Sequence, residues 1–382
     1  MKDVGKIKDA CLVIAGQSPQ GSSYNEDGIG VEFHQGKKAF GDSIIEPSGV
    51  WTTEPSKIAE AGDILMSVRA PVGPTNVTDR KICIGRGLAA IRCKDGFLPQ
   101  YILYSLRNIE SKIIGNDGAI FNSINKTQIE DLPLPLLSPD DQQSIVEYLD
   151  SSFAKIDAMK ANAEKAFIEA KALFKISQTF LLEPQEDWKR NFLTQLGDLK
   201  NGMNFNKNES GNSVHILGVG DFGNSFQIDN TDDLPLISLN SKPSLDYILQ
   251  ENDIVFVRSN GNKNLVGRCV LVHVGKEPSS FSGFCIRFRK SANEIDANYL
   301  THFLKTEASR KKLIGNGANI SNLSQKVLNK FEVYYPSLQE QKSIVSSLET
   351  LSDKVGQLQS NYDQISKECD ALKQALLKQV FE

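Results

Sequence analysis

The strongest constraint on the fold is a repeat, because two stretches of the chain share one pattern of apolar spacing. The first stretch covers residues 139–182 and the second covers residues 337–382. In each stretch the small and apolar residues alternate steps of four and three, and the second set lies 199 positions after the first. A sustained four-three pattern keeps one seam of a helix against a partner helix, as in a coiled coil. We therefore predict two long helices, each roughly 60 Å in length, that pair with each other.

The seams of the two helices are predicted residue by residue. The first seam comprises Ile145, Leu149, Ser152, Ile156, Met159, Ala163, Ala166, Ala170, Leu173, Ser177 and Phe180. The second comprises Ile344, Leu348, Leu351, Val355, Leu358, Tyr362, Ile365, Cys369, Leu372, Leu376 and Gln379. The middle of the first seam is small and that of the second is large, so an antiparallel crossing would fill the seam without voids. The alternative is two unrelated amphipathic helices, although independent helices need not share a register.

The segments outside the helices repeat as well. Residues 1–138 and 191–336 each contain short strands broken by Gly and Pro turns, then a helix, a loop, a short helix and an exit strand. Residues 183–190 form a connector between the first long helix and the second globular segment. The predicted fold class is α+β: a tandem repeat of a mixed α/β domain followed by a long helix, with the long helices pairing as an antiparallel coiled coil.

Composition and missing motifs limit the chemistry of the chain. A hydrophobic content of 40% and a charged content of 24% are ordinary for a soluble globular protein. No apolar run approaches the roughly 18 residues of a membrane span, and the N-terminal residues lack a signal-peptide cleavage site, which predicts a cytoplasmic protein without membrane contact. The six cysteines form no CxxC pair, the histidines have no metal spacing, and no nucleotide-binding loop is present. We therefore predict no catalytic residue, no metal and no cofactor in this chain.

Basic residues cluster at the same place in each repeat, although the net charge is −4. Residues 66–94 carry six basic residues and one acid, and residues 258–290 carry seven and one. Such segments favour phosphate-facing surfaces, and the nearby Asn, Gln and Arg side chains suit adenine and guanine edges. The alternative is that these residues are solvated strand faces and turns. The predicted DNA-binding residues are Gln17, Gln35, Lys37, Lys38, Arg69, Arg86, Asn204, Asn206, Lys207, Arg258, Asn260, Asn262, Lys263 and Arg268.

The segments leading into the long helices resemble a known family. The pattern Pro-x-Leu-x-x-Gln-x-x-Ile-Val, which begins at Pro336 and includes Gln341, resembles the helix starts of the specificity subunits (HsdS) of type I restriction–modification systems. The first copy departs from this pattern, since Asp140 and Asp141 follow Pro139, but Gln142 is in place. The loop text of residues 16–42 also resembles one subgroup of the family, and the resemblance extends over essentially the whole chain.

The resemblance implies a non-catalytic subunit with two target recognition domains, each reading one half of a split site in double-stranded DNA. The long helices would hold the domains apart and dock two methyltransferase subunits (HsdM), which use S-adenosylmethionine to methylate adenine. Restriction translocase–nuclease subunits (HsdR), with ATP and Mg²⁺, would join for cleavage. Two alternatives stay open: the specificity subunit of a fused restriction–methylation system, and a non-DNA adaptor of two domains on a coiled coil. The residues do not give the DNA target, the spacer length or which loop residues contact bases.

Overall fold

The computed structural model describes residues 4–114, 123–206, 208–223, 225–314 and 322–382. The chain divides into two compact units, one of residues 1–164 with 361–382 and the other of residues 165–360. Each unit therefore holds one globular part together with a portion of both long helices. Within the described ranges, no helix has both the length and the apolar character needed to cross a membrane.

The first unit consists of short strands and one middle-sized helix, followed by the start of the first long helix. The strands are β1 (Val4–Lys6), β2 (Cys11–Ala15), β3 (Tyr24–Asn25), β4 (Val31–His34), β5 (Trp51–Thr52), β6 (Ile58–Ala59), β7 (Ile64–Ser67), β8 (Thr75–Val77), β9 (Ile82–Ile84), β10 (Leu88–Cys93) and β11 (Pro133–Pro135). The helices are α1 (Ile7–Ala10), α2 (Pro99–Ile114), α3 (Lys126–Glu130) and α4 (Pro139–Leu181).

Besides the antiparallel pair of β1 and β11, two larger sheets build the globular part of the first unit. One has the antiparallel order β2-β10-β7-β8, and the other has the order β3-β5-β4-β9-β6 with β4 and β9 parallel. Strand β7 is buried along its whole length, which explains why its sequence is a nearly continuous apolar run and not an alternation of apolar and polar residues. Because β9 belongs to one sheet and β10 to the other, the turn at residues 85–87 carries the chain between the two sheets.

The second unit repeats this order. Its strands are β12 (Lys189–Phe192), β13 (Gly197–Asn201), β14 (Asn212–Leu217), β15 (Gln227–Ile228), β16 (Leu236–Leu239), β17 (Ile254–Val257), β18 (Cys269–Val272), β19 (Ser279–Phe281), β20 (Cys285–Lys290) and β21 (Glu332–Tyr335). Its helices are α5 (Leu193–Leu196), α6 (Ala297–Lys305), α7 (Glu307–Ile314), α8 (Gln325–Asn329) and α9 (Leu338–Phe381).

The sheets of the second unit follow the same plan as those of the first. The order β13-β20-β17-β18 corresponds to β2-β10-β7-β8, and the parallel pair of β14 and β19 corresponds to β4 and β9. The turn at residues 282–284 again carries the chain from one sheet to the other. The tandem repeat of a mixed α/β domain and a long helix is therefore confirmed.

A buried glutamine fixes the start of each long helix. Gln142 accepts a hydrogen bond from the Leu98 amide at 2.9 Å and donates to the carbonyls of Gly96 at 3.1 Å and Leu137 at 2.9 Å. Gln341 accepts from the Asp296 amide at 2.8 Å and donates at 2.9 Å to the carbonyls of Glu294 and Pro336. Both side chains are fully buried. The glutamine of the family-like pattern thus ties the long helix to the loop that precedes α2 or α6.

An aspartate–arginine pair recurs at the start of the central strand of each unit. Arg92 donates to both carboxylate oxygens of Asp63, at 2.9 and 2.7 Å. Arg289 donates to both oxygens of Asp253, at 2.8 and 2.7 Å. Both carboxylates are buried, and a bidentate guanidinium–carboxylate pair adds geometric specificity to the charge. Arg92 and Arg289, which belong to the basic segments predicted to face phosphates, therefore stabilise the scaffold.

The long helices agree with the sequence in extent but only partly in their seams. In α9, every predicted seam residue from Ile344 to Cys369 is buried or half-buried. In α4, Leu149, Ile156, Ala163, Ala170 and Ser177 are also buried or half-buried. Ser152 is half-buried as well, but the later alternate positions were predicted wrongly: Met159, Ala166, Leu173 and Phe180 are exposed, Phe180 to 72%.

The true seam of α4 follows the other reading of the same spacing. Its alternate positions are Phe153, Lys160, Phe167, Phe174 and Leu181, each one residue after the predicted position and each half-buried. An alternating pattern can be read as steps of four then three or as steps of three then four, and the two readings share every second residue. The spacing of apolar residues alone therefore cannot distinguish the two seams. The end of α9 shows the same shift, since Leu372 and Gln379 are exposed while Lys373 and Val380 are half-buried.

Candidate nucleic-acid interface

The turn at residues 85–87 is held by close backbone contacts. The amides of Gly16 and Gln17 donate to the carbonyls of Leu88 and Ile84, each at 2.9 Å. A Cβ atom on Gly16 would lie 2.2 Å from the Gly85 carbonyl oxygen. Only glycine allows two backbones to approach in this way. The segment after β2 is thereby fixed against the turn.

This turn brings together four of the predicted DNA-binding residues. The Ser18 hydroxyl donates to Gln35 Oε1 at 2.8 Å, and the Arg86 amide donates to the Ser18 hydroxyl at 3.5 Å. Arg69 Nε donates to the Arg86 carbonyl at 3.4 Å. Gln17, Gln35, Arg69 and Arg86 are all exposed, and we call them the first rim. Lys37 and Lys38 follow Gln35 in a short 3-10 turn, with Lys38 exposed and Lys37 half-buried.

Other cations of the first basic segment are paired with acids, and two of these acids, Glu32 and Asp63, lie outside the segment. Arg80 donates to Glu32 at 2.8 Å and to Asp79 at 2.7 Å, and Arg92 is paired with Asp63. Burial alone would raise the pKa of Glu32, but the hydrogen bonds from Arg80 and the Ser48 amide lower it below its usual range. Charge counting within residues 66–94 includes Asp79 but misses Glu32 and Asp63, because these two come from other parts of the chain.

The turn at residues 282–284 repeats the backbone of the first turn. The amides of Gly202 and Met203 donate at 3.0 Å to the carbonyls of Cys285 and Phe281. A Cβ atom on Gly202 would lie 2.0 Å from the Ser282 carbonyl oxygen. These contacts match those of Gly16 and Gln17, so the two turns are structural equivalents.

The side chains around the second turn differ from those of the first. Arg258 Nη1 donates to the Gly283 carbonyl at 3.3 Å, and a Cβ atom on Gly283 would lie 2.0 Å from Asn204 Oδ1. Phe284, which the sequence analysis missed, is 63% exposed at the tip of the turn. Aligning the two turns by their strands would have revealed it. We call Asn204, Arg258 and Phe284 the second rim.

The loop after β17 carries further predicted residues. The Asn260 side-chain oxygen accepts from the Asn262 amide at 2.8 Å, and that of Asn262 accepts from the Asn264 amide at 3.1 Å. These local hydrogen bonds orient both side chains before any ligand arrives. Lys263 is exposed in the 3-10 turn that follows.

Two other predicted residues of the second unit, Asn206 and Arg268, have contacts outside the second rim. The Asn206 amide donates to Glu209 Oε1 at 2.9 Å, in the segment before β14. Arg268 is half-buried and donates from Nη1 to the Gly223 carbonyl at 2.9 Å. Lys207 lies outside the described residues.

Both rims can contact DNA in the way that their residue types suggest. Arginine donates two hydrogen bonds to guanine, asparagine and glutamine pair with adenine, and an aromatic ring can contact the methyl group of thymine. The exposed cations also suit backbone phosphates, which supply most of the affinity for DNA. Each rim lies on a turn that a rigid pair of sheets supports, as is common for recognition sites.

Comparisons with known proteins give matches both in sequence and in fold. A sequence model for the type I restriction modification DNA specificity domain matches residues 2–169 and 185–366. The chain is 43% identical over 143 residues to a putative type I restriction enzyme MjaX specificity subunit from Methanocaldococcus jannaschii, covering 36% of this chain and 32% of that protein. It is 26% identical over 318 residues to the type I restriction enzyme StySPI specificity subunit of Salmonella potsdam, covering 78% of this chain and 68% of that protein. The aligned part thus spans about a third of the first relative and about two thirds of the second.

Two solved structures share the fold. One comes from work on complex assembly and conformational transition of the type I R-M system, with a TM-score of 0.75, 16% identity, and coverage of 100% of this chain and 97% of that chain. The other is the HsdS subunit from Thermoanaerobacter tengcongensis, with a TM-score of 0.60, 15% identity, and coverage of 99% and 96%.

Proposed function

Because the chain belongs to the family of type I restriction modification DNA specificity domains, we propose that it is the DNA-recognition subunit of a type I restriction–modification complex. The observation that carries this proposal is the pair of equivalent turns with different rims. A protein that recognises two different half-sites needs two copies of one scaffold, each with its own set of contacting side chains. The first recognition domain is residues 1–138 and the second is residues 191–336.

Each rim reads one half of a bipartite site in double-stranded DNA. The first rim offers two arginines and two glutamines, whereas the second offers one arginine, one asparagine and an exposed aromatic ring. Arg69, Arg86 and Arg258 are the candidates for guanine or phosphate contacts, and Gln17, Gln35 and Asn204 for adenine. Lys37 and Lys38 lie close in sequence to Gln35, and Lys263 lies close in sequence to Arg258. All three side chains suit contacts to phosphates.

The long helices pair as an antiparallel coiled coil in this proposal. In the first unit Asp157 contacts Lys373 at 2.5 Å and Lys160 contacts Asp370 at 3.3 Å, so a later residue of α4 meets an earlier residue of α9. Cys369 also contacts the Ile156 carbonyl, at 3.7 Å. In the second unit, the end of α4 and the start of α9 enter one apolar cluster, which supports the same direction.

The helices also dock the methyltransferase subunits. Their large exposed apolar residues support this role, since such residues rarely cluster on a monomer without a partner. On α4 they are Tyr148, Met159, Ile168, Leu173, Ile176 and Phe180. The chemistry belongs to the partners: S-adenosylmethionine with the methyltransferase subunits, and ATP and Mg²⁺ with the translocase–nuclease subunits. This chain carries no catalytic residue.

Charge reversal at each rim tests the proposal. The purified chain with its methyltransferase subunits is titrated with a duplex that contains the methylated site, at several salt concentrations. Arg86→Glu and Arg258→Glu should each weaken binding by tenfold or more and reduce its salt dependence. Lys81→Glu is the matched control for the first rim, because Lys81 is exposed but precedes β9 and lies away from the turn.

Two further readouts make the outcome decisive. Size-exclusion chromatography should show unchanged assembly in all variants. Sequencing of methylated sites should show that each rim variant affects its own half-site. Wild-type affinity in both rim variants, or equal loss in Lys81→Glu, would contradict the assignment of the rims.

A further inference from the structure

Two cysteines of the first unit face each other across neighbouring strands. In the antiparallel pairing of β2 with β10, Cys11 lies directly opposite Cys93. The Lys94 amide donates to the Ala10 carbonyl at 2.9 Å, just beyond the pair. Hydrogen bonds that flank two opposite residues, instead of joining them, define a non-hydrogen-bonded pair, whose Cα atoms lie about 4.5 Å apart. The Cys11 thiol accordingly contacts the Cys93 sulfur at 4.0 Å.

This geometry suits a disulfide. Disulfides join residues whose Cα atoms are about 4.4–6.8 Å apart, so a non-hydrogen-bonded pair falls inside the range without any shift of the strands. The two sulfur atoms would have to approach from 4.0 Å to a bond length of about 2 Å, a movement that rotation of the side chains supplies. Both side chains pack on the apolar core of the unit.

The two thiols differ in exposure and in acidity. Cys11 is 3% exposed and Cys93 is half-buried, and all six cysteines lie within the described residues, where the five other than Cys93 are buried. The Cys11 thiol donates to the Cys93 sulfur, which lowers the pKa of Cys93 against the effect of burial. The same hydrogen bond, together with burial, raises the pKa of Cys11. Because an accessible thiolate is the reactive form of cysteine, Cys93 is the sulfur that an oxidant meets first.

The second unit folds in the same way without this pair. Strand β13 pairs with β20 so that Gly197 lies opposite Lys290. A backbone hydrogen bond between the flanking residues, at 2.9 Å, matches the one beyond the cysteines. Gly197 and Lys290 therefore occupy the positions of Cys11 and Cys93. The scaffold does not require two thiols at these positions.

We propose that Cys11 and Cys93 form a redox site, at which hydrogen peroxide converts the two thiols into a reversible disulfide. The Cys93 thiolate attacks one peroxide oxygen and becomes a sulfenic acid, while the leaving hydroxide takes up the proton that Cys93 lost. The Cys11 sulfur then attacks the sulfenic sulfur, and its proton leaves with the displaced hydroxyl as water. The two thiols lose two electrons, and one peroxide is reduced to two molecules of water. The site does not depend on the proposed function.

The disulfide would fasten one side of a sheet. In the order β2-β10-β7-β8, β2 is the outer strand and β10 is its neighbour. The bond would close the long loop between residues 11 and 93, and closing a long loop stabilises a fold chiefly by restricting the unfolded chain. Oxidation should therefore make the first unit more resistant to unfolding and leave the second unit unchanged.

Mapping of the thiols after treatment with peroxide tests the site. The full chain is treated with hydrogen peroxide, the remaining thiols are alkylated in denaturant, and the chain is digested without reductant. We expect a crosslinked pair of peptides that joins Cys11 to Cys93 and has lost the mass of two hydrogen atoms. The four other cysteines should be alkylated. Dithiothreitol should restore both thiols of the pair.

Two substitutions separate the roles of the two sulfur atoms. Cys11→Ala should stop the reaction at the sulfenic acid of Cys93, which dimedone labels. Cys93→Ser should leave Cys11 as a free thiol, because Cys11 is buried. Cys83→Ala removes a buried cysteine of the same unit and is the matched control, which should form the crosslink as wild type does. The fluorescence of Trp51, in the first unit, reports whether each variant is folded.

The map of the wild type can overturn the proposal without any variant. Both thiols still free after prolonged treatment with excess peroxide would overturn it. A crosslink from Cys11 or Cys93 to a different cysteine would overturn it as well, and so would dimedone labelling of Cys11 in place of Cys93.

Unfolding in guanidinium supplies an independent measurement. In a Trp188→Phe background, Trp51 follows the first unit alone. Peroxide should move the midpoint of this transition to a higher denaturant concentration, and dithiothreitol should move it back. The same treatment of Cys93→Ser should leave the midpoint in place. A crosslinked chain with an unchanged or lower midpoint would overturn the stabilising effect of the disulfide.

Discussion

The two turns between the sheets have one backbone and two sets of side chains. Gly16 and Gly202 each bring the backbone within a distance that excludes a side chain, and the same amides and carbonyls meet in both units. The first turn reads Gly-Arg-Gly at residues 85–87, and the second reads Ser-Gly-Phe at residues 282–284. Arg86 of the first turn is therefore equivalent to Gly283 of the second, and Gly87 is equivalent to Phe284.

This difference shows how the fold separates recognition from stability. The turns are held by backbone hydrogen bonds, which do not involve the side chains of the rims. The charges that hold the scaffold, Asp63 with Arg92 and Asp253 with Arg289, recur in both units. The rim residues can therefore differ between the two units on one scaffold, as the proposed recognition of two different half-sites requires.

The largest expected effect comes from breaking the repeated ion pair. Asp253→Asn should lower the free energy of unfolding of the second unit by about 3 kcal/mol, because the partner guanidinium stays largely buried without its counter-charge. Asp63→Asn should cost the first unit only about 1–2 kcal/mol, since Arg92 is 38% exposed and Arg289 is 21% exposed. The measurement is guanidinium unfolding followed by tryptophan fluorescence.

The two tryptophans give each unit its own reporter. Trp51 lies in the first unit and Trp188 in the second, so Trp188→Phe and Trp51→Phe backgrounds isolate the two transitions. Asp131→Asn is the control, because its pairs with Lys6 and Lys8 are exposed to solvent and should contribute little to stability. Equal losses for Asp63→Asn and Asp253→Asn would mean that exposure does not set the difference between the units.

The close backbone contact at the two turns predicts the next effect. Gly16→Ala and Gly202→Ala should each destabilise their own unit by about 1–3 kcal/mol, because the new methyl group meets a carbonyl oxygen at 2.2 and 2.0 Å. Gly36→Ala and Gly220→Ala are matched controls, since a Cβ atom there has nothing within 4 Å. Stability close to wild type in both test variants would show that the turns rearrange, and their equivalence would fail.

Lowering the pH should destabilise the second unit more than the first, although the effect is smaller than those of the substitutions above. His302 of α6 is buried, and burial, together with the nearby Lys305 charge, lowers its pKa to about 4. The unfolded chain has the ordinary pKa of about 6.5, so it binds the proton more readily than the folded chain. The stability contributed by neutral His302 is thus present above pH 6.5 and lost progressively as the pH falls from 6.5 to about 4. Between pH 7 and pH 5 the loss should be roughly 1–2 kcal/mol.

The variant that removes this dependence is His302→Leu. Unfolding of the second unit, followed through Trp188, should then lose that part of its acid sensitivity. The corresponding residue of the first unit is Tyr104, which donates to Asp150 and does not titrate in this range. An unchanged pH dependence in His302→Leu would assign the acid sensitivity to other groups.

The sequence predicts the repeat and the long helices because both rest on long regular patterns. Heptad spacing and the matching segments span tens of residues, so small errors average out. It does not predict the α4 seam, since two readings of the four-three pattern share every second residue and only packing decides between them. Met159 is apolar and Lys160 is charged, yet the fold half-buries Lys160 and leaves Met159 exposed.

The rims were predicted in part, for a similar reason. Arg69, Arg86 and Gln35 stand in loops with an obvious polar composition. Arg92 and Arg289 look the same in a charge count, yet they pair with Asp63 and Asp253, which are distant in the sequence. Phe284 was missed because a lone phenylalanine beside a strand is usually core. Its exposure follows from the turn geometry, which is visible only when the two units are compared.

The smallest effect on stability and the sharpest test of the comparison concern Phe284. Phe284→Gly copies the residue of the first turn, Gly87, into the second. Because the ring is 63% exposed, stability should change by no more than about 0.5 kcal/mol. The reverse substitution is not equivalent, since a Cβ atom on Gly87 would lie 2.6 Å from the Gln35 carbonyl oxygen. Gly87→Phe should therefore destabilise the first unit, because the new side chain would meet this carbonyl oxygen.

The DNA readout of Phe284→Gly then decides whether the second rim is a reader. Sequencing of methylated sites in cells that carry the variant with its methyltransferase should show relaxed specificity in one half-site, because an apolar contact to a base edge is lost. The half-site of the first domain should be unchanged, since no residue near residues 85–87 is altered. Phe284→Leu is the matched control and should keep more of the wild-type specificity, because it retains an apolar side chain at the tip. If both half-sites stayed as in wild type, Phe284 would not contribute to specificity, and the second rim would consist of Asn204 and Arg258 alone. If both half-sites changed together, the two turns would not act as separate readers.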